Sequence, residues 1–183
     1  MSGTEQELLD RALAGDSAAF TALYRLRQGS LYRFALQMTG CASVAEDTTQ
    51  EAFLALLTHG HRYDPERGTV AAYLYGIARN LLRQRHARER GQDADVTIEE
   101  FPSNEDVLDD LTRRETVDRV RRAVLSLPPS YREVVVLCDL GDASYEEAAT
   151  ALECPLGTVR SRLSRARAML AQKLAPARGV CHV

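Results

Sequence analysis

The stretch Ser144–Leu174, SYEEAATALECPLGTVRSRLSRARAMLAQKL, leaves a chain like this the fewest choices of fold. Ser144 followed by Glu147 is an S-x-x-E capping signature, which predicts a helix starting there and running through Leu152. Cys154-Pro155 breaks the pattern, because the residue before a proline is pushed out of the helical region. Pro155 suits the first position of a new helix, where no N–H is needed. A short helix, a tight turn and a second helix make a helix-turn-helix.

The second helix has two unlike faces. Val159, Leu163, Ala166 and Leu170 recur at helical period and predict a buried stripe. Arg160, Ser161, Ser164, Arg165 and Ala168 fall on the opposite side. Guanidinium forks suit guanine edges or phosphates, and small side chains allow close approach to a major groove. From Cys154 to Val183 there are six basic residues and no acidic one. A merely solvated amphipathic helix usually mixes charge signs, and this one does not.

The rest of the chain extends the helical pattern. Apart from turn prolines and glycines, no segment alternates with period two, so the fold class is all-α. No apolar run approaches the ~18 residues of a membrane span, and the N-terminal MSGTEQELLD lacks a signal-peptide pattern. A cytoplasmic protein without membrane insertion is expected. Cys41, Cys138, Cys154 and Cys181 are scattered singly, with no disulfide-framework spacing, and Cys138 lies in the apolar run VVVLCDL as a small core residue. His59, His61, Cys181 and His182 have no further flanking ligands, and no cofactor is expected.

The net charge of −3 conceals a partition. Residues 1–60 carry about −3, 61–91 about +4, 92–110 about −8, 111–153 about −2 and 154–183 about +6. Local field, not the total, governs phosphate binding.

Taken in order, Glu5 to Tyr24 reads as two short amphipathic helices broken at Gly15-Asp16, with another marked by Leu31, Phe34, Ala35 and Met38 and ended near Gly40. Ser43 with Glu46 gives a second capping signature, opening a helix through SVAEDTTQEAFLALL. Asp47, Gln50, Glu51 and Leu54 share an outward stripe on it, which fits either an ordinary surface helix or a docking face. Tyr63–Thr69 is a loop by its Pro and Gly content. After it, VAAYLYGIARNLLRQRHARER reads as one helix. Its Arg79, Arg83, Arg85, Arg88 and Arg90 lie near Tyr63, Tyr73 and Tyr75. Cations interleaved with aromatics suit single-stranded nucleic acid, while core tyrosines beside solvated arginines fit equally well.

GQDADVTIEEFPSNED is acidic and aperiodic, a linker. Ser103 with Asp106 restarts a helix that Leu127-Pro-Pro stops, and YREVVVLCDL is a further short helix ended by Gly141. The expected division is a first domain at 1–91, a linker at 92–103, a second domain at 104–175 and a disordered tail at 176–183.

Several segments together resemble a bacterial sigma factor of the two-domain, extracytoplasmic-function group. They are Asp47-Thr-Thr-Gln50-Glu51-Ala-Phe53, Tyr73-Leu-Tyr-Gly-Ile-Ala-Arg79-Asn80, Leu127-Pro128 before Tyr131-Arg132, Gly141-Asp-Ala-Ser-Tyr-Glu-Glu, and Pro155-Leu-Gly157-Thr158-Val-Arg160-Ser161-Arg162. The resemblance covers roughly residues 5–175 and implies a role for each segment. Asp47, Gln50, Glu51, Phe53 and Leu54 would dock on core RNA polymerase. Tyr63, Arg67, Thr69, Arg79, Asn80 and Arg83 would read the minus-ten element of promoter DNA and hold a flipped base. Thr158, Arg160, Ser161, Ser164 and Arg165 would read the minus-thirty-five element. The acidic linker would thread the RNA exit path, and an anti-sigma factor would hold the protein inactive. The chain departs from the family at Tyr73, where tryptophan is common, at Arg83, commonly apolar, and at Gln84, where aspartate is frequent.

A dimeric helix-turn-helix regulator is the alternative, and it has no use for the stripe on the Asp47 helix or for the acidic linker. An enzyme is not expected: no nucleophile–base constellation, phosphate loop or metal cluster is present in the sequence.

Overall fold

Gly15 and Asp16 show how the chain punctuates its helices. Gly15 takes φ +96, open to glycine, and Asp16 then caps the next helix, its Oδ1 accepting from the amides of Ala18 at 2.9 Å and Ala19 at 3.0 Å. The Ala19 amide and the Arg11 guanidinium hold the Asp16 carboxyl below its ordinary range, against the opposing effect of burial.

The computed structural model describes residues 2–90 and 111–175, and every regular element among them is helical. These are α1 (Ser2–Leu13), α2 (Ser17–Thr39), α3 (Ala42–His59), a 3-10 turn at Gly60–Arg62, α4 (Val70–Arg90), α5 (Leu111–Leu125), α6 (Pro129–Cys138), α7 (Tyr145–Ala151) and α8 (Leu156–Leu174). The linker at 92–103, the helix restart at Ser103 and the tail from 176 lie outside the described residues.

Two expectations are corrected. The helices expected on either side of the Arg25–Ser30 stretch are one, α2, running unbroken through Gly29. An interior glycine costs a helix about 1 kcal/mol. Burial of Leu23 before it and Leu31, Phe34 and Ala35 after it offsets that cost. Ser43 is not a cap: Cys41 precedes the first residue of α3 and makes no side-chain cap, and Ser43 lies inside the first turn. Gly40 ends α2 at φ +76, so Cys41 alone spans the gap in extended conformation and α3 begins at once.

Helices α1–α4 make one unit. Phe20, Tyr24 and Phe53 cluster in its core, with ring centroids 4.7 Å apart for Tyr24–Phe53 and 6.2 Å for Phe20–Phe53. Val70, Leu74, Ala78 and Leu82 give α4 a buried stripe at four-residue spacing, and Tyr75 packs its ring on Phe34 at 5.4 Å. Tyr75 is therefore core and not a stacking surface.

Helices α5–α8 make the second unit, built on α6. Positions Glu133 to Leu137 are all buried, because α6 runs between α8 on one side and α2 on the other. Cys138 is half-buried, and burial, with Asp139 beside it, pushes its thiol up to about 11. The apolar core runs on from one unit into the other. Arg132 crosses between them, donating to Met38 O at 2.6 Å near the end of α2, and to Leu127 O at 3.1 Å. A guanidinium among the last carbonyls of a helix satisfies groups that have no partner within it.

Candidate nucleic-acid interface

The helix-turn-helix forms as its sequence predicts. Ser144 Oγ accepts from the Glu147 amide at 3.1 Å, and Glu147 Oε2 accepts from the Ser144 amide at 2.9 Å, completing the capping box. Glu153 takes φ +52 in the turn, which brings the Cys154 amide to within 3.0 Å of Ala149 O. Pro155 is the cap of α8, one position before the expected one, and its carbonyl accepts from the Thr158 amide at 2.8 Å.

On α8, Val159, Leu163 and Ala166 are buried and Leu170 is half-buried. Arg160, Ser161, Ser164, Arg165 and Ala168 are all exposed, and Thr158 is half-exposed at the first turn. Ser161 donates to Thr158 O at 3.1 Å, which holds its hydroxyl against the backbone. Arg167 serves the fold instead, forking onto Asp139 at 2.9 and 2.5 Å and so tying α8 to the end of α6. The hydrogen bond to Asp139, then one with Tyr145, raises its pKa further. Guanidiniums held clear of acidic groups along one face of a helix can fork onto base edges and phosphates.

A second candidate surface takes in the 63–69 loop and α4, whose arginines gather in the second half of that helix. Tyr63 donates to Gly68 O at 2.9 Å across the loop, and its ring lies 5.6 Å from that of Tyr73. Burial, then the nearby Glu5, Asp10 and Asp64, raise the Tyr63 pKa, which keeps the hydroxyl a donor. Thr69 caps α4, its Oγ1 accepting from the Ala72 amide at 3.2 Å. Beside it lies a cavity of about 250 Å³, lined by Tyr63, Arg67, Thr69, Tyr73 and Asn80 and closed by Thr150 and Glu153 of the second unit.

The structure brings Tyr63, Arg67, Thr69 and Asn80 together around this cavity, and Arg83 is exposed one turn further along α4. Arg79 points elsewhere. Its side chain is 11 % exposed and Nε donates to Glu133 Oε1 at 2.9 Å, a carboxylate itself 7 % exposed. Thr69 Oγ1 likewise donates to Glu147 Oε1 at 2.8 Å.

On α3, Asp47, Gln50, Glu51 and Leu54 lie exposed on one stripe, Leu54 being 63 % exposed. Phe53 is a correction: at 2 % exposure, with its ring against Phe20 and Tyr24, it is a core residue and not a docking contact. On a helix, adjacent residues point about 100° apart, so Phe53 and Leu54 cannot share a face.

Sequence reasoning missed Glu133, Glu147 and Thr150 as groups facing the first unit. Glu133 did carry a signal, as a lone carboxylate at the head of the apolar run VVVLC, where a buried charge needs a partner. Glu147 gave none beyond its capping role.

Comparison with known proteins adds to this geometry. The family model for Sigma-70 region 2 matches residues 23–92, and that for Sigma-70, region 4 matches residues 118–170. The chain is 37 % identical over 172 residues to the ECF RNA polymerase sigma factor SigE of Mycolicibacterium smegmatis, covering 88 % of this chain and 65 % of that protein. It is 33 % identical to the RNA polymerase sigma-H factor of Pseudomonas aeruginosa, covering 94 % of each. It is also 33 % identical to the ECF RNA polymerase sigma-E factor of Escherichia coli, over 94 % of this chain and 95 % of that one. Among solved structures, it matches CnrH in complex with the cytosolic domain of CnrY at TM-score 0.71 and 25 % identity, covering 92 % of this chain and 96 % of that chain. It matches the sigma factor RpoE in complex with the anti-sigma factor NepR from Bartonella quintana at TM-score 0.68 and 29 % identity, covering 85 % and 96 %.

Proposed function

The chain belongs to the extracytoplasmic-function sigma factors, and from that membership we propose how its two units divide the work of starting transcription. The first unit docks on core RNA polymerase through Asp47, Gln50, Glu51 and Leu54 of α3. It meets the minus-ten element with Tyr63, Arg67, Thr69, Asn80 and Arg83, and with Arg79 once that residue leaves Glu133. The second unit reads the minus-thirty-five element with Thr158, Arg160, Ser161, Ser164 and Arg165 of α8. The domain limits that go with this reading are 1–91 and 104–175, joined by the acidic linker.

One observation carries the reading: the exposed face of α8 holds Arg160 and Arg165 among small side chains and no carboxylate, on a helix joined by a tight turn to the capped α7. Cationic faces of this size give non-specific affinities of about 10⁻⁴–10⁻⁶ M at physiological salt. Attaching both units to one polymerase converts two weak contacts into a joint one by raising effective concentration. No step in this scheme makes or breaks a covalent bond at this chain.

The two solved structures described above each pair a sigma factor or its relative with a second protein, in one case a named anti-sigma factor. We extend that to this chain: an anti-sigma factor holds it inactive by covering its polymerase-binding faces.

The test is run-off transcription with core polymerase, on a promoter chosen from the transcripts that rise when the protein is overexpressed. Arg160→Ala is expected to reduce specific transcripts by roughly tenfold or more, as loss of a bidentate base contact worth about 1–3 kcal/mol would. Capture by core polymerase should be unchanged. Loss of core capture in Arg160→Ala would show that the residue holds the fold together and does not read DNA.

A further inference from the structure

We infer that Asp139, to which the proposed scheme gives no contact with DNA, is a specificity-determining residue for the minus-thirty-five element. Through Arg167 it sets the rotation of α8 about its own axis, and so the bearing at which Arg160 enters the groove. The inference rests on the reading of α8 as the helix that enters the major groove.

Arg167 is held unlike its neighbours on α8. Its Nε donates to Asp139 Oδ2 at 2.9 Å and its Nη2 to Oδ1 at 2.5 Å, a two-point fork. Among the described residues it is the one arginine of α8 in an ion pair. Tyr145, the first residue of α7, hydrogen-bonds the same guanidinium. One side chain thus ties together the end of α6, the start of α7 and the middle of α8.

Asp139 is a poor local choice where it stands. It closes the C-terminus of α6, its amide donating to Val135 O at 2.9 Å, where the helix dipole presents its negative end. A carboxylate there is disfavoured within its own helix, and the cation that offsets it comes from 28 positions away. The frame around it is stiff. The Leu140 amide returns to Val135 O at 3.0 Å and the Ala143 amide to Leu137 O at 3.2 Å, winding the turn back onto the last carbonyls of α6. On the other side, the capping box at Ser144 and Glu147 fixes the start of α7 at Tyr145.

Place on the helix gives the fork its consequence. Arg160 and Arg167 are seven residues apart, about two turns, and lie on one edge of α8 to within about 20°. Buried Val159, Leu163 and Ala166 hold α8 against its neighbours, but apolar contact is non-directional and leaves small rotations cheap. A bidentate fork is directional. A guanidinium about 6 Å from the axis moves about 1 Å for a rotation of about 10°, enough to spoil a two-point contact with a base edge. Phosphate contacts fix orientation without carrying sequence, so the loss falls on reading and not on general grip.

The test uses holoenzyme assembled from the full chain and core polymerase. Its affinity is measured for duplex carrying a promoter taken from the transcripts that rise on overexpression, and for the same duplex with the minus-thirty-five element scrambled. The readouts are the ratio of the two affinities and their dependence on salt. Asp139→Ala is expected to lower the ratio about tenfold by weakening the promoter duplex alone, with the salt slope and capture of core polymerase unchanged. Arg167→Ala should lower the ratio as much, and the two together no further than either alone, because each removes the same fork. Asp139→Asn, which keeps the shape and loses the charge, carries the test if Asp139→Ala fails to fold. Tighter binding to both duplexes, with a salt slope steeper by about one, would overturn the inference, since Asp139 would then merely withhold Arg167 from phosphates. An unchanged ratio, or losses that multiply in the double variant, would overturn it too. Arg160→Ala tells the two levels apart. A ratio lowered by Arg160→Ala and not by Asp139→Ala sinks the positioning role alone, whereas a ratio untouched by Arg160→Ala shows that α8 does not read the element.

Discussion

Phe53 and Leu54 are neighbours in the chain and opposite in consequence. Phe53 closes an aromatic cluster with Phe20 and Tyr24, while Leu54 projects from α3 into solvent. Phe53→Ala is therefore expected to lower unfolding free energy by about 3–5 kcal/mol, because a large ring leaves a cavity that its neighbours fill only in part. Chemical denaturation followed by circular dichroism checks this. A loss below about 1 kcal/mol would place the ring outside the core. At this scale the sequence was least informative: LALL supplies apolar residues to more than one face, and motif resemblance put Phe53 with the docking residues. Arg79 shows the same limit from the other side. A cation in a row of cations reads as solvated or DNA-facing until its partner, 54 positions away at Glu133, is seen.

Elements were legible in proportion to the chemistry written at their ends. Ser144–Glu147 and the Cys154-Pro155 break located α7 and the start of α8 to within a residue, because both signals act through backbone groups close in sequence. Val70–Arg90 was legible from its periodicity alone. Helices ending at Tyr24 and marked again from Leu31 were expected as separate, and tertiary packing makes them one through Gly29. The signature at Ser43 failed because Gly40 had already set where α3 must begin. Gly141, expected to end α6, proves constrained by space as well. A Cβ there would lie 2.8 Å from Leu137 O and 2.9 Å from Val136 O. Gly141→Ala should cost about 1–3 kcal/mol through forced backbone movement, read as a lower melting temperature. No change in melting temperature would mean that the turn has room to relax.

For the whole molecule, charge partition carried the reading further than any single motif. The described parts of the cationic blocks at 61–91 and 154–183 fall on two helical units, and the strongly acidic 92–110 stretch lies between them in sequence. Sequence did not convey how those units meet. The contacts joining them couple residues far apart in the chain, such as Arg132 with Met38 and Thr150 with Arg67, and such pairs leave no local pattern. The proposed docking stripe on α3 is the part on which all the rest depends, since in the proposed scheme the two DNA-binding faces act jointly only through the polymerase that joins them. The most direct measurement is capture of purified core RNA polymerase by the full-length protein, wild type against Gln50→Ala with Leu54→Ala. The wild type should bind, and the double variant should bind at least tenfold more weakly with its melting temperature nearly unchanged, as expected when exposed interface residues are truncated without disturbing the core. Wild-type protein that leaves core polymerase unbound, in the absence of any inhibitor, would contradict the account.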